Sequence, residues 1–177
     1  MNFEISSNQE ATERQAPLAI KRYLTLAMLI ICIFGVLENT SGQVYAQTIT
    51  SEMQILLTEV SHWVDRLEAG GFSIESVHID PMTSNETYLI SHYLYRGNEY
   101  LILGVSGVEI TDLDLGLSDS SGTLLVTDPR STNLPILAII PTHDGLYTVE
   151  TDIYSTSHSI PASSPLFFAN IIAFRSG

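Results

Sequence analysis

The apolar residues of this chain follow two different periods, one before residue 71 and one after it. Across residues 48–71 they recur at the i, i+3, i+4 and i+7 spacing that gathers side chains on one stripe of a helix. Gly70 and Gly71 follow the stripe, as is typical of a helix C-terminus. The pattern predicts one amphipathic helix, whose apolar stripe comprises Met53, Leu56, Leu57, Val60, Val64 and Leu67.

After residue 72 apolar and polar residues alternate, which is the period of a strand with one face in the core and one in water. Residues 96–98 join the first two predicted strands, which predicts a β-hairpin. The last strand is apolar almost throughout, which predicts burial on both faces. The predicted strands cover residues 87–95, 99–106, 112–117, 123–127, 136–140, 146–154 and 166–174.

Strands at this spacing, separated by Gly, Pro and Asp turns, predict a mainly β fold. The fold class we expect is an antiparallel, jelly-roll-like β-sandwich with one N-terminal amphipathic helix. The length of 177 residues and the hydrophobic content of 45 % favour a single globular domain. The predicted organisation is a signal peptide at residues 1–46, the helix at residues 47–71 and the sandwich at residues 72–177.

The N-terminus has the order of a secretory signal. Lys21 and Arg22 precede an apolar run over residues 23–37, and a polar segment then leads to a compact site ending at Ala46. A membrane span needs roughly 20 apolar residues, so cleavage after Ala46 is favoured over the alternative, an uncleaved anchor. We expect a secreted or periplasmic protein that contacts a membrane only through an uncleaved signal.

The charge of the remaining chain limits its partners. Residues 47–177 contain sixteen acidic residues against four arginines, a net charge of −12, and no lysine. Nucleic acids are therefore not expected as partners, because binding them requires cationic side chains that neutralise phosphates. Cys32 is the only cysteine, so the stability of the exported part must come from its core rather than from disulfides.

Residues 100–154 resemble the bacterial pre-peptidase C-terminal domain, known as PPC. That family shows an aspartate-flanked segment, a turn ending in Ser-Gly and then an aromatic-containing strand. The matching segments here are residues 112–115 (DLDL), 121–125 (SGTLL) and 145–149 (GLYTV). The resemblance implies a non-catalytic jelly-roll-like module, of a kind often appended to secreted enzymes and sometimes able to bind calcium or a polymer.

Three aspartates form the predicted metal site. Asp112 and Asp114 share one strand face because alternate residues point to the same side, and Asp119 lies in the turn that follows. Carboxylates that converge with loop carbonyls are the ligands that calcium prefers, so calcium is the cofactor that this pattern indicates. The alternative is a solvated strand face with a turn-forming aspartate.

Catalysis has weaker support. Ser106 with His143 and Asp144 could supply the residue types of a serine hydrolase, but the segment around Ser106 lacks the Gly-x-Ser-x-Gly elbow. The histidines His62, His78, His92, His143 and His158 have none of the paired spacings of zinc sites. A secreted hydrolase with an unrecognised site therefore stays the alternative function, and we expect no enzyme.

Six tyrosines, Tyr88, Tyr93, Tyr95, Tyr100, Tyr147 and Tyr154, are concentrated in the predicted sandwich. Alternation lets about half of them face outward, where tyrosine can stack on sugars or pack against a protein. Packing in the core and on the sheet is the other interpretation. The expected function is a non-catalytic binding or structural module of the cell envelope or extracellular space, with a protein or polysaccharide partner.

Overall fold

The computed structural model describes residues 42–157 and 160–177, with side chains from residue 51 onward. The chain divides into two compact units, Met1–Thr50 and Ser51–Gly177, and every strand of the described residues lies in the second. The predicted signal lies outside the described residues apart from its last five, which begin the helix. Among the described residues, no helix has the length and hydropathy that a bilayer crossing requires.

The helix α1 spans Gly42–Ala69 and therefore begins earlier than the apolar stripe alone predicts. Its predicted end is confirmed. The N–H of Gly71 donates to the carbonyl of Glu68 at 3.0 Å, and the N–H of Phe72 donates to Leu67 at 3.0 Å. Gly71 has a φ of 83°, a left-handed conformation in which glycine, lacking a Cβ, carries no steric penalty.

Eight strands follow α1 in the described residues, and together they confirm the predicted fold class. They form two four-stranded antiparallel sheets, sheet A in the order β1-β8-β3-β6 and sheet B in the order β2-β7-β4-β5. This is the strand order of a jelly roll, in which the chain passes repeatedly from one sheet to the other. The strands are β1 Ser73–Met82, β2 Thr87–Leu94, β3 Glu99–Ser106, β4 Ile110–Ser118, β5 Leu124–Thr127, β6 Ile136–Ile139, β7 Gly145–Thr156 and β8 Leu166–Arg175.

The predicted hairpin of β2 and β3 is wrong. Both strands exist close to their predicted bounds, but β2 pairs with β7 in sheet B and β3 pairs with β8 and β6 in sheet A. Each strand finds its partners far along the chain, because its apolar face must meet the opposite sheet across the core. Residues 95–98 therefore cross between the sheets instead of forming a hairpin turn.

The core between the sheets consists of two apolar clusters with a polar pair between them. The Asn170 amide on β8 donates to the Thr151 hydroxyl on β7 at 2.9 Å, and both residues are fully buried. Gly104 on β3 lies directly opposite Asn170, and a Cβ there would come within 2.8 Å of Leu113 and of Pro135. One cluster contains Leu94, Tyr100, Ile102, Leu115, Leu117, Leu137, Tyr147, Val149 and Ile172; the other contains Met82, Ile110, Leu113, Ile153, Leu166 and Phe168.

The outward face of sheet A is buried at its central strands, β3 and β8. Strand β8 is buried on both faces over most of its length, as its continuous apolar sequence predicts. Five residues of the α1 stripe, Leu56, Leu57, Val60, Val64 and Leu67, are also buried. Residues 70–72 join α1 to β1, and the Arg175 guanidinium lies 4.6 Å from the Phe72 ring at that junction. A helix packed on the outside of sheet A accounts for the burial of both surfaces.

Candidate functional site

Asp112 is a structural residue in this fold. It is 6 % exposed, and its Oδ1 accepts a hydrogen bond from the Thr132 N–H at 2.9 Å. The Leu113 N–H donates to the Thr132 carbonyl at 2.9 Å. Asp112 thus holds residues 128–135, which carry the chain from β5 in sheet B to β6 in sheet A. The expectation of a solvated strand face is wrong here, because the pairing of β4 with β7 shifts register on both sides of Asp112.

Asp114 faces outward on sheet B, partly exposed and directly opposite Asp152 of β7. Burial raises the pKa of Asp114, and the neighbouring carboxylates of Asp112, Asp152 and Asp128 raise it further. Like charges directly opposite each other on paired strands destabilise a sheet. A bound cation or a basic partner would relieve this repulsion.

Asp119 lies at the opposite end of β4 and belongs to the β4–β5 turn. Its Oδ1 accepts hydrogen bonds from the Ser121 N–H at 2.9 Å, the Ser121 hydroxyl at 2.6 Å and the Thr123 N–H at 3.0 Å. These bonds, the Ser121 hydroxyl first, lower the pKa of Asp119. Seven positions separate it from Asp112, about 20 Å along a strand.

The three predicted ligands are therefore not brought together. Asp112 and Asp114 are close enough for their charges to interact, while Asp119 is distant and its Oδ1 is bonded within its own turn. Across residues 42–157 and 160–177, no three His, Cys, Asp or Glu side chains form a group that could hold a metal ion.

Sequence reasoning missed Asp128, which is the most heavily bonded carboxylate of the β5–β6 connection. It accepts hydrogen bonds from Nε and Nη2 of Arg130, each at 2.9 Å, and from the Ile136 N–H at 2.9 Å. The Arg130 guanidinium is the main cause of a lowered pKa at Asp128. The only local signal was the Asp-Pro pair, which indicates a turn but not a buried carboxylate.

The residues considered for hydrolysis are engaged elsewhere. The Ser106 hydroxyl lies 3.1 Å from the Asn133 carbonyl and 3.3 Å from the Ile110 carbonyl. The His143 ring stacks on Tyr147 at 5.6 Å between centroids, and Asp144 accepts the Arg96 N–H at 2.6 Å. Each of the three stabilises a turn or connection of the sandwich.

Exposed tyrosines occur on the outward face of sheet B. Tyr93 and Tyr95 are 46 % and 52 % exposed, and their rings meet edge to face at 5.1 Å. Leu146, directly opposite Tyr93 on β7, is 55 % exposed. We call these three residues the tyrosine patch. Tyr154 is exposed farther along β7, whereas Tyr100 and Tyr147 are buried in the core and Tyr88 is partly buried.

A second feature that sequence reasoning missed is a row of polar side chains on β1, β2 and β8 that have buried, unpaired atoms. Five side-chain atoms there have no hydrogen-bond partner: Glu75 Oε2, Ser76 Oγ, His78 Nε2, His92 Nε2 and Asn170 Oδ1. His92 Nε2 comes within 3.2 Å of Glu75 Oε1, but without hydrogen-bond geometry. We call these five residues the polar row. His158 lies outside the described residues.

Comparisons with known proteins leave the family open. No family model matches the chain, and no curated protein matches it. A solved structure of infectious bursal disease virus Gt strain is similar at 13 % sequence identity, over 59 % of this chain and 33 % of that chain, with a TM-score of 0.23. This chain therefore spans about a third of the length of that one. The segments that resemble PPC lie in β4, in β5 with the turn before it, and in β7, which are neighbours in sheet B, and the family assignment stays a prediction.

Proposed function

We propose that this protein is an exported, non-catalytic binding module whose partner docks on the outward face of sheet B. The observation that carries the proposal is the tyrosine patch, in which two aromatic rings and a leucine stand next to each other in solvent. The outward face of sheet A is buried at its central strands, so sheet B offers the more open face of the sandwich.

The chemistry of this face suits a protein or a polysaccharide. Tyrosine contributes a large apolar surface together with a hydroxyl, and it is enriched at the centres of protein interfaces. The same outward face of β7 continues from Leu146 through Thr148 to Glu150 and Asp152. A partner that stacks or packs on the patch and carries cationic or hydroxyl groups toward the acidic end would match both parts.

Export and a PPC-like role are parts of the same proposal. The apolar run at residues 23–37 and the compact site at Ala46 support an exported protein that begins at Gln47 and resides in the periplasm or outside the cell. N-terminal sequencing of the exported protein checks the cleavage. Recovery of residues 1–46 in the membrane fraction would instead support an uncleaved anchor.

The docking surface is tested by replacing Tyr93 and Tyr95 together with serine. The partner is captured in the native host by a photo-crosslinking amino acid placed at position 91, between the two aromatic positions and Leu89. Binding to insoluble cell-wall polysaccharides is measured in parallel. We expect the double variant to lose at least tenfold in the affinity of whichever interaction the parent shows.

Ile55→Ser is the matched control, because Ile55 is an exposed large apolar residue of α1 and is not part of sheet B. It should bind like the parent. Equal loss in both variants, or an unchanged affinity in the double variant at unchanged melting temperature, would contradict docking on the tyrosine patch. Crosslinks to a protein and retention on a polysaccharide distinguish the two classes of partner.

Calcium binding is a second proposal, favoured by the raised pKa of Asp114 among the carboxylates of Asp112, Asp152 and Asp128. Calcium at about 100 times its Kd should raise the free energy of unfolding by roughly 2.7 kcal/mol. Magnesium should raise it less, because it gives up its water ligands reluctantly. In Asp114→Asn, calcium should stabilise the protein no more than magnesium does. Asp119→Asn is the control: it removes the same charge, and calcium should still stabilise it more than magnesium. Equal effects of both ions on the parent would indicate screening of surface charge instead.

A further inference from the structure

We propose that the polar row is a binding site for a small amine in its ammonium form, entered between the edge strands β1 and β2. This site is separate from the tyrosine patch, since the row faces the interior of the sandwich and the patch faces outward. Each of the two proposals can therefore be tested without the other.

The residues of the polar row converge through strand register. His78 of β1 is directly opposite Asn170 of β8, which places their side chains about 5 Å apart on the inner face. Ser76 is the next residue of β1 on that face. A register shift between Ile74 and Ser76 turns Glu75 inward, where it reaches His92 on β2 of the opposite sheet.

The polar row is partly exposed at one end and completely buried at the other. The side chains of Glu75 and His92 are 24 % and 20 % exposed, whereas Asn170 is completely buried. β1 and β2 are the edge strands of their sheets, on the same side of the sandwich. A small molecule that passes between these edges meets Glu75 and His92 first and Asn170 last.

The unpaired atoms favour a bound ligand. A buried polar atom without a hydrogen-bond partner destabilises the folded state, because it has lost its bonds to water without replacement. Buried polar groups in folded proteins are paired in the great majority of cases. All five buried unpaired side-chain atoms of the described residues belong to this row.

The hydrogen-bonding capacity of these atoms indicates which kind of ligand would bind. Glu75 Oε2 and Asn170 Oδ1 only accept hydrogen bonds, Ser76 Oγ can accept one, and a neutral imidazole has one acceptor nitrogen. Asp80 lies farther along the same face of β1, where its carboxylate accepts the Tyr88 hydroxyl at 2.5 Å, and this bond raises the pKa of Tyr88 to about 12. A positively charged ligand that donates several hydrogen bonds therefore suits this set of atoms.

No described arginine supplies these donors. Arg66 lies over Trp63, Arg130 pairs with Asp128 and Arg175 pairs with Glu99, while Arg96 is in the β2–β3 connection. Among the described residues the row also lacks the three grouped ligands that a metal ion needs. An ammonium group is about the size of a water molecule, carries a positive charge and donates N–H bonds in several directions, as the site requires.

The test uses ammonium chloride and methylammonium chloride as probes of the full-length protein at about pH 8, where free imidazole is neutral and ammonium keeps its charge. Melting temperature is followed by circular dichroism at constant ionic strength. We expect a saturable rise of about 5 °C with either amine. Potassium, which has no N–H donors, and tetramethylammonium, which has neither donors nor a small size, should leave the melting temperature unchanged.

Variants and nuclear magnetic resonance locate the effect. Glu75→Gln should abolish the rise, and Glu59→Gln, which removes an exposed carboxylate from α1, should keep it. If Glu75→Gln does not fold, the parent protein provides the test. Adding ammonium should shift the ring C–H resonances of His78 and His92 and leave those of the exposed His62 unchanged. A potassium effect equal to that of ammonium, unmoved resonances, or a crystal structure grown in methylammonium chloride without density for methylammonium at the row would each overturn the proposal.

Discussion

Replacing Val60 with Asp is expected to lower the free energy of unfolding by about 3 kcal/mol or more. Val60 is completely inaccessible to solvent in the middle of the α1 stripe. A carboxylate there must be buried without a partner, taken up as the neutral acid or exposed by undocking the helix, and each outcome costs free energy. Urea unfolding of the parent and the variant measures the difference.

Thr58→Asp is the control for this prediction. Thr58 is an exposed residue of the same helix, and its hydroxyl donates only to the Gln54 carbonyl at 2.8 Å. The substitution adds the same charge without burying it, so we expect a change within about 0.5 kcal/mol. If both variants melt like the parent, the α1 stripe contributes nothing to the stability of the sandwich.

Replacing Asp128 with Ala is expected to cost about 3 kcal/mol. The side chain of Asp128 is 1 % exposed, and its loss leaves the Ile136 N–H and the Arg130 fork without their acceptor. Removing one partner of a buried ion pair typically costs about 3–5 kcal/mol, and the half-exposed Arg130 places this case at the lower end. Because Asp128 holds the connection between β5 and β6, those two edge strands should lose hydrogen-exchange protection first.

The pH dependence of this variant distinguishes the stability lost with the charged carboxylate from the stability lost with its packing contacts. The folded-state pKa of Asp128 lies below its unfolded value, so its contribution is present above the unfolded pKa of about 3.9 and is lost as pH falls through the folded pKa. The stability difference between the parent and Asp128→Ala should thus be constant near neutral pH and shrink in acid. A difference that stays the same down to pH 2 would contradict a role for the charge.

Local features of the fold were predictable from the sequence because they depend on neighbouring residues. The helical period of the α1 stripe and the glycines at its end predicted the helix and its C-terminus. The alternation of Leu113, Leu115 and Leu117 predicted which side of β4 enters the core, and the continuous apolar run of β8 predicted a strand buried on both faces. These periods follow from backbone geometry over a few residues, so no knowledge of the rest of the chain is needed.

Strand pairing was not predictable in this way. The short link at residues 96–98 suits a hairpin, yet β2 and β3 join different sheets, because their partners β7 and β8 lie more than fifty residues later. The register shifts around Asp112 likewise depend on β7, and they turn an expected cation ligand into a buried support of the β5–β6 connection.

The sequence by itself determined the class of this protein: an acidic, mainly β domain with one amphipathic helix and an apolar core. Only the tertiary structure decided where its polar groups meet. The inner face of β1 carries Ser76 and His78, a pattern that alternation alone assigns to the solvent side. The polar row exists because strands distant in sequence enclose these side chains, and the tyrosine patch exists because β7 places Leu146 beside Tyr93. Both surfaces arise from pairing between distant segments, which the local periods of the chain do not encode.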